Sequence, residues 1–279
     1  MVIDSHHHLW KYTPAQYGWI TEDKAVLKRD FWLKDLSELA SANGVDGFVT
    51  VQARQSLLET DTLLGLAEEL PLIRGVVGWV DFRSPEIEAQ LEKYADASKL
   101  KGLRHVVHDE PDDDFILGNA FNRGIAKLNG SGFVYDVLIF AKHLQPSIEF
   151  VRKHPDIPMV IDHIAKPTIR ANQFDDEWAA GIREIAHFTN VTCKVSGVAT
   201  EVRDEAWSID TVRPYWDTVL ASFGPSRLMY GSDWPVCLLK TQYGRWLSTV
   251  KELASELSDD EQRDLFGGTA QRVYDLEQD

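Results

Sequence analysis

Short apolar, β-branched runs alternate with longer amphipathic stretches along the whole chain. The runs are Val2 to His8, GFVTVQA at 47–53, IRGVVGWV at 73–80, LKGLRHVV at 100–107, GFVYDVLI at 132–139, MVIDHIA at 159–165, VTCKVSG at 191–197 and RLMYGSD at 227–233. Each is bounded by turn residues and mostly apolar throughout, as a strand covered on both faces of a parallel sheet must be. Between them, apolar residues recur at helical spacing over 31–44, 57–69, 85–97, 120–128, 144–153, 178–188, 212–223 and 246–257. Residues 258–275 read as one or two closing helices. Eight strand–helix units in 279 residues predict an α/β fold, a single (β/α)8 TIM barrel spanning 1–279. The rival, a doubly wound open sheet, usually carries a Gly-rich phosphate turn after its first strand; here that strand ends in histidines. The two longest excursions, Tyr12 to Asp30 and His108 to Ile116, are expected over the barrel mouth.

In such a barrel the chemistry sits at the C-terminal ends of the strands. Period-two alternation puts Asp4, His6 and His8 on one face of the first strand, and Ile3, Ser5 and His7 on the other. The histidines lie inside an apolar run, between Ile3 and Leu9, so they read as native strand and not as a purification tag. His163 closes the sixth run and Asp233 the eighth, so His6, His8, His163 and Asp233 are expected to converge. Three imidazoles and a carboxylate suit one divalent ion such as zinc, with a position left for water. They equally suit metal-free acid–base work, with Asp233 and His163 as the catalytic pair.

Other polar groups fall at strand ends. Arg104, His105, Gln52 and Lys194 are candidate substrate contacts, and His108 lies just beyond. For Arg104 and Lys194 the alternative is ion pairing inside the barrel with Asp4, Asp136 or Asp162. His105 and His108 are weaker candidates, since one of them must face away from the bore. Trp10, Trp19, Trp79 and Trp234 lie at or just after strand ends, where an indole face could pack on a sugar ring; Trp10 and Trp79 are taken as substrate contacts.

Charge narrows the partners. The formal net charge is −15, with no basic block, which disfavours nucleic acid. No apolar stretch is long enough to span a membrane. Two cysteines without metal-site spacing, Cys193 and Cys237, and a start without a leader-like pattern, predict a cytoplasmic protein.

The segments VIDSHHHLW at 2–10, GVVGWVD at 75–81, LKGLRHVVHDEPDDDF at 100–115, IDHIAKP at 161–167, CKVSG at 193–197 and YGSDWPVC at 230–237 occur in order over essentially the whole chain. Together they resemble the amidohydrolase superfamily, within it the sugar-lactonase branch of L-fuconolactonase-like and L-rhamnonolactonase-like enzymes. The resemblance implies a hydrolase that opens an aldonolactone such as L-fucono-1,5-lactone or L-rhamnonolactone. It matches His6 and His8 to the first-strand pair, His163 to the sixth-strand histidine and Asp233 to the eighth-strand aspartate. Binuclear members carry a bridging Lys or Glu on strand four and a His on strand five. Arg104-His105 and Tyr135-Asp136 stand there instead, which implies at most one metal, or none. A metal-dependent decarboxylase on the same barrel and a non-catalytic sugar-acid-binding barrel are the competing readings.

Overall fold

The computed structural model describes residues 1–277, so the last two residues of the expected unit lie outside it. Eight strands form one parallel sheet in sequence order: β1 (Ile3–His7), β2 (Gly47–Val51), β3 (Ile73–Gly78), β4 (Leu100–Val106), β5 (Val134–Leu138), β6 (Met159–Ile161), β7 (Val191–Val195) and β8 (Leu228–Tyr230). A parallel bridge from His7 to Trp234 joins the first strand to the segment after the last. Two backbone bonds support that closure: His8 N donates to Trp234 O at 2.7 Å and Asp233 N to His6 O at 2.8 Å. The α/β-barrel expectation holds.

The main helices are α1 (Leu33–Asn43), α2 (Leu57–Glu69), α3 (Ile87–Lys93), α4 (Asn119–Ile125), α5 (Leu144–Lys153), α6 (Asp176–Ile185), α7 (Ile209–Phe223) and α8 (Tyr243–Leu253), with two closing helices, α9 (Asp259–Arg263) and α10 (Thr269–Val273). Their apolar stripes pack outside the strands. A second, smaller apolar cluster fills the bore: Ile3, Val49, Val51, Val77, Val134, Val160 and Met229 meet Ala270, Tyr274 and Leu276 from the C-terminal segment. The chain end thereby plugs the face of the barrel opposite the site.

Two expectations about the strands need correction. Strict alternation on β1 fails, because the β1–β2 register shifts between Asp4 and His7. Ile3 therefore joins the bore cluster, while Asp4 accepts from Ser232 N at 2.9 Å and lies within electrostatic reach of Tyr230 and Tyr243, away from the bore. His6 and His8 still face the bore, beyond the shift. Further, β6 ends at Ile161 and β8 at Tyr230, so His163 and Asp233 sit on the turns that follow and do not close the strands themselves.

Candidate active site

Those turns are conformationally costly. His163, Ile164, Ala165 and Lys166 all have positive φ (54, 49, 60 and 47°), and Asp233 follows at 59°. A left-handed residue other than glycine costs on the order of 1–2 kcal/mol. Packing holds the first turn in place: Ile164 and Ala165 are buried, Trp178 Nε1 of α6 donates to Ile164 O at 2.6 Å, and Lys166 N donates to His163 O at 2.9 Å. Pro167 follows, and a residue before proline is disfavoured in the right-handed helical region. The next turn approaches closely as well. A Cβ on Gly197 (φ 63°) would lie 2.7 Å from His163 Nδ1 and 3.0 Å from Asp233 Oδ2.

The result is a convergent centre. His8 Nε2 lies 3.3 Å from Asp233 Oδ1, and His6 Nε2 and His163 Nε2 each lie 3.9 Å from the same oxygen. Each imidazole is held through its other nitrogen: His6 Nδ1 is 3.2 Å from Asp162 Oδ1, His8 Nδ1 donates to Val51 O at 2.8 Å, and His163 Nδ1 is 2.9 Å from Ser196 Oγ. An oxygen partner at Nδ1 orients a ring and turns Nε2 toward the centre as a ligand or base; at His6 that nitrogen also accepts from Arg104 Nη1 at 3.2 Å.

Under the centre runs a buried network of two cations and two anions. Lys194 Nζ donates to Asp136 Oδ2 at 2.5 Å, and lies 3.1 Å from Asp162 Oδ1 and 3.4 Å from His6 Nδ1. Arg104 Nη1 donates to Asp162 Oδ2 at 2.9 Å and to His6 Nε2 at 3.2 Å, and Nη2 to Gln52 O at 2.5 Å. Tyr274 Oη donates to Asp136 at 2.7 Å from below.

Electrostatics sort the protonation states. Burial holds His6 well below the usual imidazole range and brings His163 down to about 4, so both are neutral near pH 7. Burial pushes Asp233 upward, but the opposing pull of His163, His8 and Lys166 wins and holds its carboxyl below the ordinary value. Asp162 is likewise pushed up by burial and pulled well down by Lys194, His6 and Arg104.

Above the centre opens a cavity of about 400 Å³, lined by His8, Arg104, His163 and Asp233 and by residues of both long excursions, among them Trp19, Lys24, His108 and Asp109. Several expected contacts lie elsewhere. Lys194 is fully buried in the network below, so ion pairing with Asp136 and Asp162 is what the barrel uses it for. Gln52 is also buried below the cavity; its amide donates to Arg104 O at 3.3 Å. His105 points outward by alternation with Arg104, bonded to Glu110 at 2.7 Å and stacked on Phe115, whereas His108 reaches the cavity and stacks on Phe140. Trp10 donates to Arg29 O and packs among Tyr17, Trp19 and Phe31, bracing the first excursion. Trp79 is tied through its backbone to Thr60. Polar and charged lining residues not anticipated from the sequence include Lys24, Lys166, Thr200, Glu201 and Arg203. Only Lys166, three positions after His163 in IDHIAKP, carried any sequence signal.

The family model described as amidohydrolase matches residues 3–276. The chain belongs to the amidohydrolase family. It is 39% identical to the L-fucono-1,5-lactonase of Burkholderia multivorans, over 98% of this chain and 96% of that protein. It is 33% identical to the L-fucono-1,5-lactonase of Burkholderia ambifaria, over 99% of this chain and 96% of that protein. A crystal structure of an amidohydrolase from Burkholderia multivorans with bound zinc superimposes with a TM-score of 0.94 at 39% identity, covering 99% of this chain and 100% of that one.

The donors of this amidohydrolase suit one such ion. Ligand atoms of His6, His8 and Asp233 lie within 4.8 Å of one another, all buried. Two imidazoles and a carboxylate are a common zinc set. His6, Asp162 and His163 also meet that distance, but both Asp162 oxygens are already engaged by Lys194 and Arg104, so the first set fits better. Among the described residues, no helix is long and apolar enough to cross a membrane.

Proposed function

We propose that this enzyme hydrolyses an aldonolactone, the cyclic ester of a sugar acid, such as L-fucono-1,5-lactone or L-rhamnonolactone. The observation that carries the reading is the convergence of three imidazole Nε2 atoms on Asp233 Oδ1 at the floor of a sugar-sized cavity. The similarity to two L-fucono-1,5-lactonases supports the choice of substrate.

In this mechanism Asp233, ionised at neutral pH, accepts a proton from a water as its oxygen attacks the lactone carbonyl. The ring C–O bond then breaks, and Asp233 returns the proton to the departing ring hydroxyl. Neutral His163, hydrogen-bonded to Ser196, orients the water beside the carboxylate. A divalent ion held by His6, His8 and Asp233 would supply Lewis-acid charge at this point. We further infer a cytoplasmic setting, supported by two buried free thiols, Cys193 and Cys237.

Proton release from a panel of aldonolactones, followed with a pH indicator with and without chelator, tests the reading. Asp233→Asn should lower kcat by about 10²–10⁴-fold, the usual worth of a general base, while the protein stays folded. Near-wild-type turnover by that variant would remove Asp233 from the mechanism. Carbon dioxide release from aryl acids, without lactone opening, would favour a decarboxylase.

A further inference from the structure

Most charged side chains around the cavity are already engaged. Arg104 donates through both Nη atoms to Asp162 and to Gln52 O, Arg203 pairs with Glu201 at 3.0 Å, and Lys24 donates to Trp19 O at 2.9 Å. Lys166 differs. Among the described residues its ammonium has no hydrogen-bond partner and no carboxylate within 4.0 Å. The face of Phe140 lies 5.5 Å from Nζ, and His108 stacks on that same ring at 4.6 Å. Glu201 and Asp233 act on it only through space.

An unpaired ammonium in a half-buried wall is costly to keep, and so is the left-handed turn that carries it. That same turn aims His163 at the centre and, three residues later, Lys166 into the cavity above it. The two groups are therefore fixed relative to each other by one packed segment, which is what a preorganised donor pair requires.

We propose that Lys166 is a further catalytic residue, binding the carbonyl oxygen of the lactone and then the oxyanion formed when water attacks. The inference rests on the lactone-hydrolysis reading. A full positive charge gains most where negative charge develops in the transition state, and the two Nη groups of Arg104 are committed elsewhere. The lysine stays protonated throughout: the water's proton passes to Asp233 and returns to the ring oxygen, and Lys166 transfers none.

The test compares wild type with Lys166→Met, both as purified. Loss of one oxyanion donor should lower kcat by about 10²–10³-fold with KM changed little. Tm should be unchanged or raised, since the charge removed had no partner. Binding gives a second readout: the aldonate product should bind more weakly to the variant, while the matching uncharged alditol binds equally well to both proteins. A variant kcat within threefold of an active wild type overturns the Lys166 assignment alone. Equal weakening toward aldonate and alditol also overturns it, because that marks a deformed cavity and not a lost charge. A wild type that opens no aldonolactone overturns the lactonase reading and this inference with it.

Discussion

Replacing Gly197 by alanine puts one methyl group into the gap between the two turns that carry the chemistry. Gly197 has φ 63° and ψ 3°, so the backbone alone costs on the order of 1–2 kcal/mol for an L-residue. At about 2–4 °C per kcal/mol in a chain of this size, Tm should fall by roughly 2–8 °C. The new Cβ would also lie 2.7 Å from His163 Nδ1, where ordinary contact begins near 3.4 Å, so the ring must retreat by about 0.7 Å. Asp233 Oδ2, 3.0 Å away, must shift too. That retreat strains the 2.9 Å bond from His163 Nδ1 to Ser196, and the turn that carries the ring is itself held by the Trp178 bond to Ile164 O. A misplacement approaching 1 Å typically costs up to ~10²-fold in rate, so kcat should drop about 10–100-fold, or 1.4–2.7 kcal/mol of barrier. Lactone turnover by pH indicator, paired with a thermal melt, measures both effects. Gly44 supplies the control, because it has nearly the same φ (65°) but nothing within 4 Å of an added Cβ. Gly44→Ala should lose similar stability and keep full kcat. Equal kcat values for the two variants would refute the claim that Gly197 exists to let His163 and Asp233 approach.

Lys194→Met should destabilise the fold by about 3–5 kcal/mol in urea unfolding, because Asp136 and Asp162 are left buried without their shared cation. Adding Asp136→Asn should recover part of that loss, and a cost below about 1 kcal/mol for the single change would show that the network matters little. Glu59 predicts a pH effect on stability. Burial, opposed by bonds from Arg54 N and Ala53 N, raises its carboxyl from 4.5 to about 7. The folded protein thus binds more protons than the unfolded chain between those values. The Glu59 contribution is complete below pH 4.5 and is lost as pH rises through about 7, with a slope of at most about 1.4 kcal/mol per pH unit. The wild-type urea midpoint should therefore fall relative to that of Glu59→Gln as pH rises from 5 to 7.5, and parallel curves would contradict the shift.

The alternation of apolar runs and amphipathic stretches was enough to predict the barrel, because a parallel sheet buried on both faces and helices with one apolar stripe leave distinct periods in the sequence. His6 and His8 were legible for the same reason, and His163 and Asp233 because strand ends mark one face of the barrel. What the period could not carry is anything that breaks it. The register shift in β1 turns Asp4 outward although it lies two residues before His6. The early ends of β6 and β8 hand His163 and Asp233 to left-handed turns, whose direction depends on packing by Trp178 and Ile164 and not on spacing. Once a chain leaves a strand, alternation no longer says where a side chain points, which is why Lys166 and Glu201 were missed and Trp10 was misplaced. Pairing is also decided in three dimensions. Lys194 and Arg104 are both cations on strands, yet one is sealed among carboxylates below the centre and the other reaches the cavity. Sequence determined the fold and the four residues at its centre; tertiary structure decided which neighbours support that centre and which are left free for a ligand, because burial and ion pairing depend on contacts between residues far apart in the chain.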